Sequence, residues 1–185
     1  MMDLPEKIDR SWSLFLDRDG VINRRIVGGY VQTPEEFVFL PGVLKSLAFF
    51  GKAFGKIIVV TNQQGIGKGL MDEKQLEAVH QKMLREVKKA GGRIDAVFYC
   101  PDLTSKPENC RKPSLYLARE AKKMFPEIDF SRSVMAGDSE SDMAFGKNAG
   151  MFTVYVGTQI PVPVQADVHV DGLPELARYF HRFIL

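Results

Sequence analysis

The sequence contains little cysteine and little histidine: its 185 residues include only two of the first and three of the second. Two cysteines, Cys100 and Cys110, cannot build a disulfide framework, and this scarcity is typical of a protein from a reducing compartment. The three histidines lie outside the polar motifs described below, so a mechanism that depends on histidine is disfavoured.

The sequence also lacks long apolar runs and a marked excess of charge of either sign. No run approaches the roughly 20 residues that span a bilayer, and the formal net charge is only +2. The lysines are scattered along the chain, so we expect neither a nucleic-acid partner nor a membrane partner. Residues 1–7 carry no apolar core of a signal peptide, which favours a cytoplasmic location.

Short β-branched runs alternate with amphipathic stretches, and at this length we expect residues 1–185 to form a single domain. Asp72 followed by Gln75 is typical of a capping box at a helix start. The alternation predicts an α/β fold, a Rossmann-like three-layer α/β/α sandwich with a mostly parallel sheet. Residues 22–40 fit neither pattern and are expected to form a loop or a small β-excursion. The predicted strands are residues 13–17, 56–60, 96–100, 134–136, 152–156 and 168–170, and the predicted helices are residues 42–50, 72–90, 114–125, 141–149 and 173–183.

Two carboxylates, Asp17 and Asp19, stand two residues apart at the end of the first predicted strand. Because side chains alternate along a strand, residues i and i+2 point to the same side. Both carboxylates can therefore converge at the carboxyl edge of the sheet, where open α/β folds hold their active sites. Carboxylates so close repel each other unless a cation or a proton lies between them, so the pair predicts a cation site.

Three further polar motifs follow other predicted strands. Because the carboxyl ends of parallel strands share one edge of the sheet, all four motifs can meet there. Each motif alone is also explained by a turn or a helix cap, but four in order at strand ends indicate one catalytic site. The motifs are Asp17-Arg18-Asp19-Gly20, Thr61-Asn62-Gln63-Gln64-Gly65, Arg111-Lys112-Pro113-Ser114 and Gly137-Asp138-Ser139-Glu140-Ser141-Asp142.

Together the motifs supply the groups that transfer of a phosphoryl group to a carboxylate requires. Such a nucleophile forms an aspartyl-phosphate and divides hydrolysis into two easier steps. The accumulated negative charge needs a cation, and Mg²⁺ suits side-chain ligands such as Asp17 and Asp138. The Thr61 hydroxyl, the backbone amides after it and Lys112 can bind the phosphate oxygens. Asp19 is placed to protonate the leaving alkoxide and then to deprotonate water.

This ordered set resembles the haloacid dehalogenase-like superfamily of phosphatases, from about residue 13 to about residue 157. The family's Asp-x-Asp-Gly-Thr-Ile/Val-Asn is close to the segment Asp17-Arg18-Asp19-Gly20-Val21-Ile22-Asn23. The resemblance implies that Asp17 is the nucleophile, that Asp19 is the general acid and base, and that Mg²⁺ is held by Asp17, Asp138 and the backbone carbonyl of Asp19. It also implies that Thr61, Asn62 and Lys112 bind phosphate and that Asp142 supports the metal shell or Lys112.

A narrower resemblance rests on the Thr61-Asn62-Gln63 segment with Gly65-Ile66, on Cys100-Pro101 and on Cys110-Arg111-Lys112-Pro113. It indicates a subgroup of compact members without a large cap domain, which contains D-glycero-D-manno-heptose 1,7-bisphosphate phosphatases and histidinol-phosphate phosphatases. Substrate discrimination then falls to short loops at residues 23–33, 63–70 and 101–111. We expect Asn23, Gln63 and Arg111 of these loops to contact the substrate, and a guanidinium offers bidentate contacts to phosphate.

Members of this subgroup usually carry a structural zinc loop ahead of the Arg-Lys-Pro segment. Here the four zinc positions read Cys100, Asp102, Glu108 and Cys110. Two thiolates and two carboxylates form a poorer tetrahedral Zn²⁺ site than three cysteines and a histidine. We therefore predict that these positions hold no zinc.

These features predict a Mg²⁺-dependent phosphatase that hydrolyses a small phosphorylated sugar through an aspartyl-phosphate, and the resemblance implies a monomer. The first candidate substrate is D-glycero-D-manno-heptose 1,7-bisphosphate, and the second is histidinol phosphate. A hypothesis of a different class is a phosphate-binding regulatory protein that has lost catalysis on the same fold. The motifs discriminate between the classes, since all the residues required for turnover are present.

Overall fold

The computed structural model describes residues 7–158 and 165–183, which contain a six-stranded sheet and its helices. All neighbouring strands run parallel, in the order β3-β2-β1-β4-β5-β6. This confirms the predicted Rossmann-like α/β architecture. In chain order the elements are β1 (Ser13–Leu16), α1 (Val43–Ala53), β2 (Lys56–Asn62), α2 (Glu73–Lys89), β3 (Ala96–Cys100), α3 (Tyr116–Met124), a 3-10 turn (Phe130–Arg132), β4 (Ser133–Gly137), α4 (Glu140–Ala149), β5 (Phe152–Val156), β6 (Val168–Val170) and α5 (Leu173–His181).

Both faces of the sheet are covered by helices, which explains why the strands are continuously apolar. On β1, Leu14 and Leu16 point into a core shared with α1, α2 and α5. Phe15, between them, points into a second core shared with α3 and α4. All three side chains are fully buried, so the register of β1 is set by packing on both sides.

The strand order places a topological switch point between β1 and β4. The chain proceeds from β1 outward through β2 to β3 and then returns to place β4 on the other side of β1. At such a point the connections leave the sheet in opposite directions, which opens a crevice at the carboxyl ends of the two strands. Asp17 follows β1 and Asp138 follows β4, so both lie at this crevice.

Two capping boxes define helix starts near the crevice. At α2, the predicted pair is confirmed, since Asp72 accepts from the backbone of Gln75 and Gln75 reaches back to Asp72. At α4, Ser139 and Asp142 form a second capping box that the sequence reading did not identify. This second box holds the Asp142 carboxylate at the first turn of α4, beside the end of β4.

β2 extends two residues beyond its predicted end, and β4 extends by one residue at each end. β2 continues through Asn62 because Thr61 and Asn62 pair with Tyr99 and Cys100 of β3. Thr61 and Asn62 therefore belong to the strand itself, contrary to the expectation that they follow it. The backbone direction of both residues is set by the sheet.

The segment of residues 22–40 forms a loop with isolated bridges rather than regular strands. Asn23 bridges to both Asp19 and Phe39. The backbone N–H of Arg24 donates to the Val38 carbonyl at 2.9 Å. These bonds tie the two ends of the loop together, so its middle lies over the crevice.

The structure corrects the interpretation of the two cysteines, because Cys100 and Cys110 are joined by a disulfide with their Cα atoms 5.5 Å apart. The backbone N–H of Cys110 donates to Asp102 Oδ2 at 3.1 Å, which folds the loop back onto the end of β3. Residues 1–6, which contributed to the expectation of a cytoplasmic location, lie outside the described residues. Within the described ranges, no helix combines the length and apolar character needed to cross a bilayer.

Candidate active site

A cleft of about 430 Å³ opens at the carboxyl edge of the sheet. Asp17 lies at its floor, between the carboxyl ends of β2 and β4, and residues of all four predicted motifs reach the cleft. The described lining residues are Asp17, Asp19, Arg25, Ile26, Gly28, Gly29, Tyr30, Val31, Thr61, Asn62, Gln64, Lys68, Arg111, Lys112, Ser139, Ser141 and Asp142.

Lys112 is a buried cation at the floor of this cleft. Its Nζ donates to Asp17 Oδ1 at 2.8 Å and to the Val60 carbonyl at 2.7 Å, and it contacts Asp142 Oδ1 at 2.5 Å. Burial alone would lower the pKa of Lys112, but the carboxylates of Asp142 and Asp17 outweigh burial and raise it. The ammonium is therefore charged at neutral pH and stands beside the expected nucleophile.

Asn62 ties the backbone of Lys112 to the end of β2. Its Oδ1 accepts from the Lys112 backbone N–H at 3.0 Å, and its Nδ2 donates to the Lys112 carbonyl at 3.4 Å. Lys112 lies in the long connection between β3 and α3, so this tether positions a loop residue against the rigid sheet. Asn62 also lines the cleft, where it can contribute to phosphate binding.

The pKa values of Asp17 and Asp138 are raised, which favours the neutral, protonated form of each carboxyl group. Burial raises the pKa of Asp17 to about 7, with Lys112 opposing the shift and the carboxylates of Asp142 and Asp138 adding to it. Burial likewise raises the pKa of Asp138 to about 6, against the opposing charge of Arg25. Two buried carboxylates that favour protonation form a site that gains from a further cation.

Asp19 is held by three donors that favour its ionised form. Arg18 Nη2 donates to both carboxylate oxygens at 3.0 and 2.9 Å, Asn23 Nδ2 to Oδ1 at 2.9 Å, and Gln63 Nε2 to Oδ2 at 2.8 Å. Burial alone would raise the pKa of Asp19, but the Arg18 charge and these hydrogen bonds outweigh it and lower the pKa. His80 lies behind Arg18, with its Nε2 3.2 Å from Arg18 Nη1.

The positions of Asn23 and Gln63 correct the expectation that both contact the substrate. Both side chains are buried, at 0% and 1% exposure, and neither lines the cleft. Asn23 is turned inward by its bridges on either side, and Gln63 lies on the same face of the chain as Thr61, two residues earlier. Their amide groups therefore orient the carboxylate of Asp19, and Arg111 remains as the cleft-lining member of the predicted set.

Gln63 also fixes the hydroxyl of Thr61. Its Nε2 donates to Thr61 Oγ1 at 2.8 Å, so the hydroxyl accepts there and keeps its own proton for another acceptor. Thr61 lines the cleft, and a phosphate oxygen in the cleft is a suitable acceptor. The predicted phosphate-binding role of Thr61 is consistent with this arrangement.

Replacing Gln63 by methionine should slow the enzyme and shift its pH profile. Loss of the amide removes one donor from Asp19 and the orienting donor from Thr61, so we expect kcat to fall about 10- to 100-fold. The pKa of Asp19 should rise, and because Asp19 acts first as the proton donor, the basic limb of kcat/KM should move to higher pH. Steady-state rates between pH 4.5 and 8 measure both effects, with Gln81→Met on the exposed surface of α2 as the control. An unchanged limb would show that Gln63 does not tune Asp19.

The expected metal ligands fit a small divalent cation. Carboxylate oxygens of Asp17, Asp138 and Asp142 lie within 4.8 Å of one another. Asp142 is already engaged by Lys112 and by the capping box, which leaves Asp17 and Asp138. A cationic group can reach Asp138 and the Asp19 carbonyl together, because Arg25 Nη2 lies 2.7 Å from Asp138 Oδ1 and 3.2 Å from Asp19 O. This set of hard oxygen donors suits Mg²⁺.

The glycine after Asp19 is required by this packing. Gly20 has φ +94°, and a Cβ atom there would lie 1.9 Å from Asp138 Oδ2. The backbone of the first motif and the carboxylate of the fourth are therefore in direct contact. Only a residue without a side chain permits both the turn and this approach.

The rim of the cleft is basic. Arg111 lines it, with Nη1 donating to the Asp102 carbonyl at 3.2 Å. Lys68 also lines the cleft, with Nζ 5.5 Å from the ring centroid of Tyr30. Arg25 is the third rim cation, and it is half exposed. The rim therefore suits an anionic substrate that extends out of the cleft.

Three of the four predicted zinc positions come together. Atoms of Cys100, Asp102 and Cys110 lie within 4.8 Å of one another, and Glu108 is not part of this group. In the structure the two sulfur atoms are bonded to each other. A disulfide sulfur is not a thiolate, and the thiolate is the form that binds zinc.

Sequence reading missed Arg18, Arg25 and the capping role of Ser139. The Ser139 signal was present, since a serine stands three residues before the carboxylate of Asp142 at a helix start. Arg18 gave no signal, because strand alternation points it away from Asp17 and Asp19. Arg25 gave none either, because its position depends on how the loop of residues 22–40 folds back.

The chain is similar in sequence and in fold to known proteins. A family model described as HAD-hydrolase-like matches residues 109–169. D-glycero-alpha-D-manno-heptose-1,7-bisphosphate 7-phosphatase of Mycobacterium tuberculosis is 38% identical over 77% of this chain and 75% of its own length. The D-glycero-beta-D-manno-heptose-1,7-bisphosphate 7-phosphatase of Vibrio cholerae is 34% identical over 92% of this chain and 96% of its own length. The crystal structure of D,D-heptose 1.7-bisphosphate phosphatase from B. bronchiseptica, complexed with magnesium and phosphate, has a TM-score of 0.83 at 30% identity and covers 92% of this chain and 98% of its own.

Proposed function

The chain belongs to the D-glycero-D-manno-heptose-1,7-bisphosphate 7-phosphatase family of haloacid dehalogenase-like hydrolases, and on that premise we propose a Mg²⁺-dependent heptose bisphosphate phosphatase that works through an aspartyl-phosphate. The observation that carries this proposal is the contact between Asp17 and Lys112, 2.8 Å apart at the floor of the cleft. A carboxylate beside a buried ammonium can meet a phosphate whose oxygens need a positive partner. Asp19 stands at the same cleft, ready to exchange the proton.

In the first step, Asp17 attacks phosphorus in line and the bond to the leaving oxygen breaks. Lys112, the Thr61 hydroxyl and the backbone amides after Thr61 donate to the non-bridging oxygens. Asp19 gives its proton to the leaving alkoxide. The contacts of Asp19 with Arg18 and Gln63 favour the ionised form, but a bound phosphate dianion raises its pKa by like-charge repulsion and so favours proton uptake.

In the second step, ionised Asp19 takes a proton from water, and the resulting hydroxide attacks phosphorus. The bond to the Asp17 carboxylate breaks and inorganic phosphate leaves, so that Asp17 is again a free carboxylate and Asp19 carries the proton taken from water. Magnesium, when bound by Asp17, Asp138 and the Asp19 carbonyl, neutralises charge on the phosphate. The positioning of Asp19 by Asn23 and Gln63 serves both steps, because the same carboxyl group handles both protons.

A side-by-side rate comparison tests the substrate. We expect kcat/KM to be highest on a heptose 1,7-bisphosphate, by at least about tenfold over histidinol phosphate, because the basic rim can contact a second phosphate. Relatives named for the alpha and the beta anomer both match the chain, so both anomers are measured. A faster reaction with histidinol phosphate would contradict the assignment.

The same assay tests the metal. We expect EDTA to abolish phosphate release and added Mg²⁺ to restore it, since the buried carboxylates need a cation. Activity that persists in chelator would count against the metal site. We also propose that the enzyme is a single-domain cytoplasmic monomer, and size-exclusion chromatography tests the oligomeric state. We propose further that the loop containing Asp102 and Glu108 binds no zinc, and metal analysis of the purified protein tests this.

A further inference from the structure

Arg25 lies across two of the three groups that are suited to hold the metal. Its Nη2 is 2.7 Å from Asp138 Oδ1 and 3.2 Å from the carbonyl oxygen of Asp19. The arginine side chain is 50% exposed, whereas that of Asp138 is only 15% exposed. A half-exposed cation therefore contacts a largely buried carboxylate at the point where the expected metal ligands converge.

The packing of Asp138 leaves one oxygen for this contact. Its Oδ2 is packed against the backbone of Gly20, where even a Cβ atom would collide. Its Oδ1 faces the guanidinium of Arg25. Oδ1 is therefore the oxygen that is turned away from Gly20, and Arg25 Nη2 donates to it.

A guanidinium and a divalent cation cannot share these two oxygens without strong repulsion. Both would bring positive charge within hydrogen-bond distance of the same acceptors, and like charges this close oppose each other. Arg25 also places its positive charge directly against the carboxylate of Asp138, whose side chain is only 15% exposed. Arg25, which is held on the loop of residues 22–40, thus supplies part of the positive charge that a bound metal would supply.

We propose that Arg25 is a tethered counter-ion that Mg²⁺ displaces, and that the released side chain then contacts the substrate's second phosphate. The inference rests on the proposed function. The arginine side of the contact is half exposed, and ion pairs that are open to solvent are weak, so a divalent cation can replace the guanidinium readily. The displaced arginine remains on the loop that lines the cleft, on the same rim as Lys68 and Arg111.

The first test is Mg²⁺ binding to the substrate-free protein by isothermal titration calorimetry. We expect Arg25→Gln to bind Mg²⁺ about fivefold more tightly than wild type, because the competing cation is gone. Arg25→Lys keeps the positive charge but loses the two-pronged guanidinium, so its affinity for Mg²⁺ should lie between those of wild type and Arg25→Gln. Arg24→Gln, at the exposed neighbouring residue, should match wild type.

Equal or weaker Mg²⁺ binding by Arg25→Gln would overturn the competition. Thermal unfolding of each variant confirms that it is folded, and Arg25→Lys provides the comparison if the glutamine variant is not. Failure of the wild-type protein to bind Mg²⁺ would instead contradict the metal role in the proposed function. The two failures are therefore distinguishable in one titration series.

The second test is the Michaelis constant at saturating Mg²⁺. We expect Arg25→Gln to raise KM for heptose 1,7-bisphosphate about tenfold, because one charge-assisted contact is lost. KM for a small monophosphate, which has no second phosphate to reach the rim, should change by less than about twofold. An equal change in KM for both substrates would overturn the second half of the inference.

Discussion

Replacing Asp17 by asparagine should lower phosphate release by at least about 10⁴-fold, because an amide oxygen is a poor nucleophile toward phosphorus. The substitution is close to isosteric. The new side-chain oxygen can still accept from Lys112 Nζ, which lies 2.8 Å from Asp17 Oδ1. We therefore expect a folded protein that lacks turnover.

The measurement is release of inorganic phosphate at saturating Mg²⁺ and substrate, with thermal unfolding as the test of fold. Asp171→Asn is the matched control, because Asp171 is an exposed aspartate away from the cleft. It should leave the rate unchanged. If Asp17→Asn kept more than about one hundredth of wild-type turnover, the covalent mechanism would be wrong.

Replacing Lys112 by methionine should damage both stability and catalysis. The ammonium is the shared partner of Asp17 and Asp142, and all three side chains are buried. Removing one member of a buried ionic group leaves uncompensated charge, and we expect the free energy of unfolding to fall by about 3–5 kcal/mol. Catalysis should fall by at least about 10³-fold, because the phosphate oxygens lose their buried cation.

A double substitution separates the two roles of Lys112. In Lys112→Met with Asp142→Asn, one of the two stranded carboxylates becomes neutral, while the amide oxygen can still cap α4 through Ser139. Stability should recover by about half, but activity should remain lost. Urea unfolding and phosphate release measure the two effects, with Lys123→Met on the exposed surface of α3 as the control. If stability did not recover, the ion pair with Asp142 would not be the source of the loss.

Local patterns were sufficient to predict the elements of the fold. The apolar runs placed all six strands in the described residues, and the Asp72–Gln75 pair placed the start of α2. The predicted end of β2, at residue 60, was wrong because Asn62 is a strand residue only through its pairing with β3. Long-range pairing of this kind leaves no mark on the residue itself.

The spacing of residues in the sequence predicted the directions of loop side chains less reliably than it predicted the strands. Asn23 and Gln63 stand in loops that border the cleft, yet both turn inward to Asp19. Arg25, in one of the same loops, reaches Asp138 across 113 positions of sequence. Loop residues have no periodicity that predicts which way they face, so only the folded loop shows these contacts.

The sequence by itself determined the fold class and the chemistry expected of Asp17, Asp19, Lys112 and Asp138. It could do so because strand periodicity is local, and because a parallel sheet brings the residues after its strands to one edge. The tertiary structure alone decided the hydrogen bonds that favour ionised Asp19, the burial that raises the pKa values of Asp17 and Asp138, and the contact of Arg25 with Asp138 and the Asp19 carbonyl. The burial of a side chain and the charges around it depend on every element packed against it. These surroundings exist only once the chain has folded.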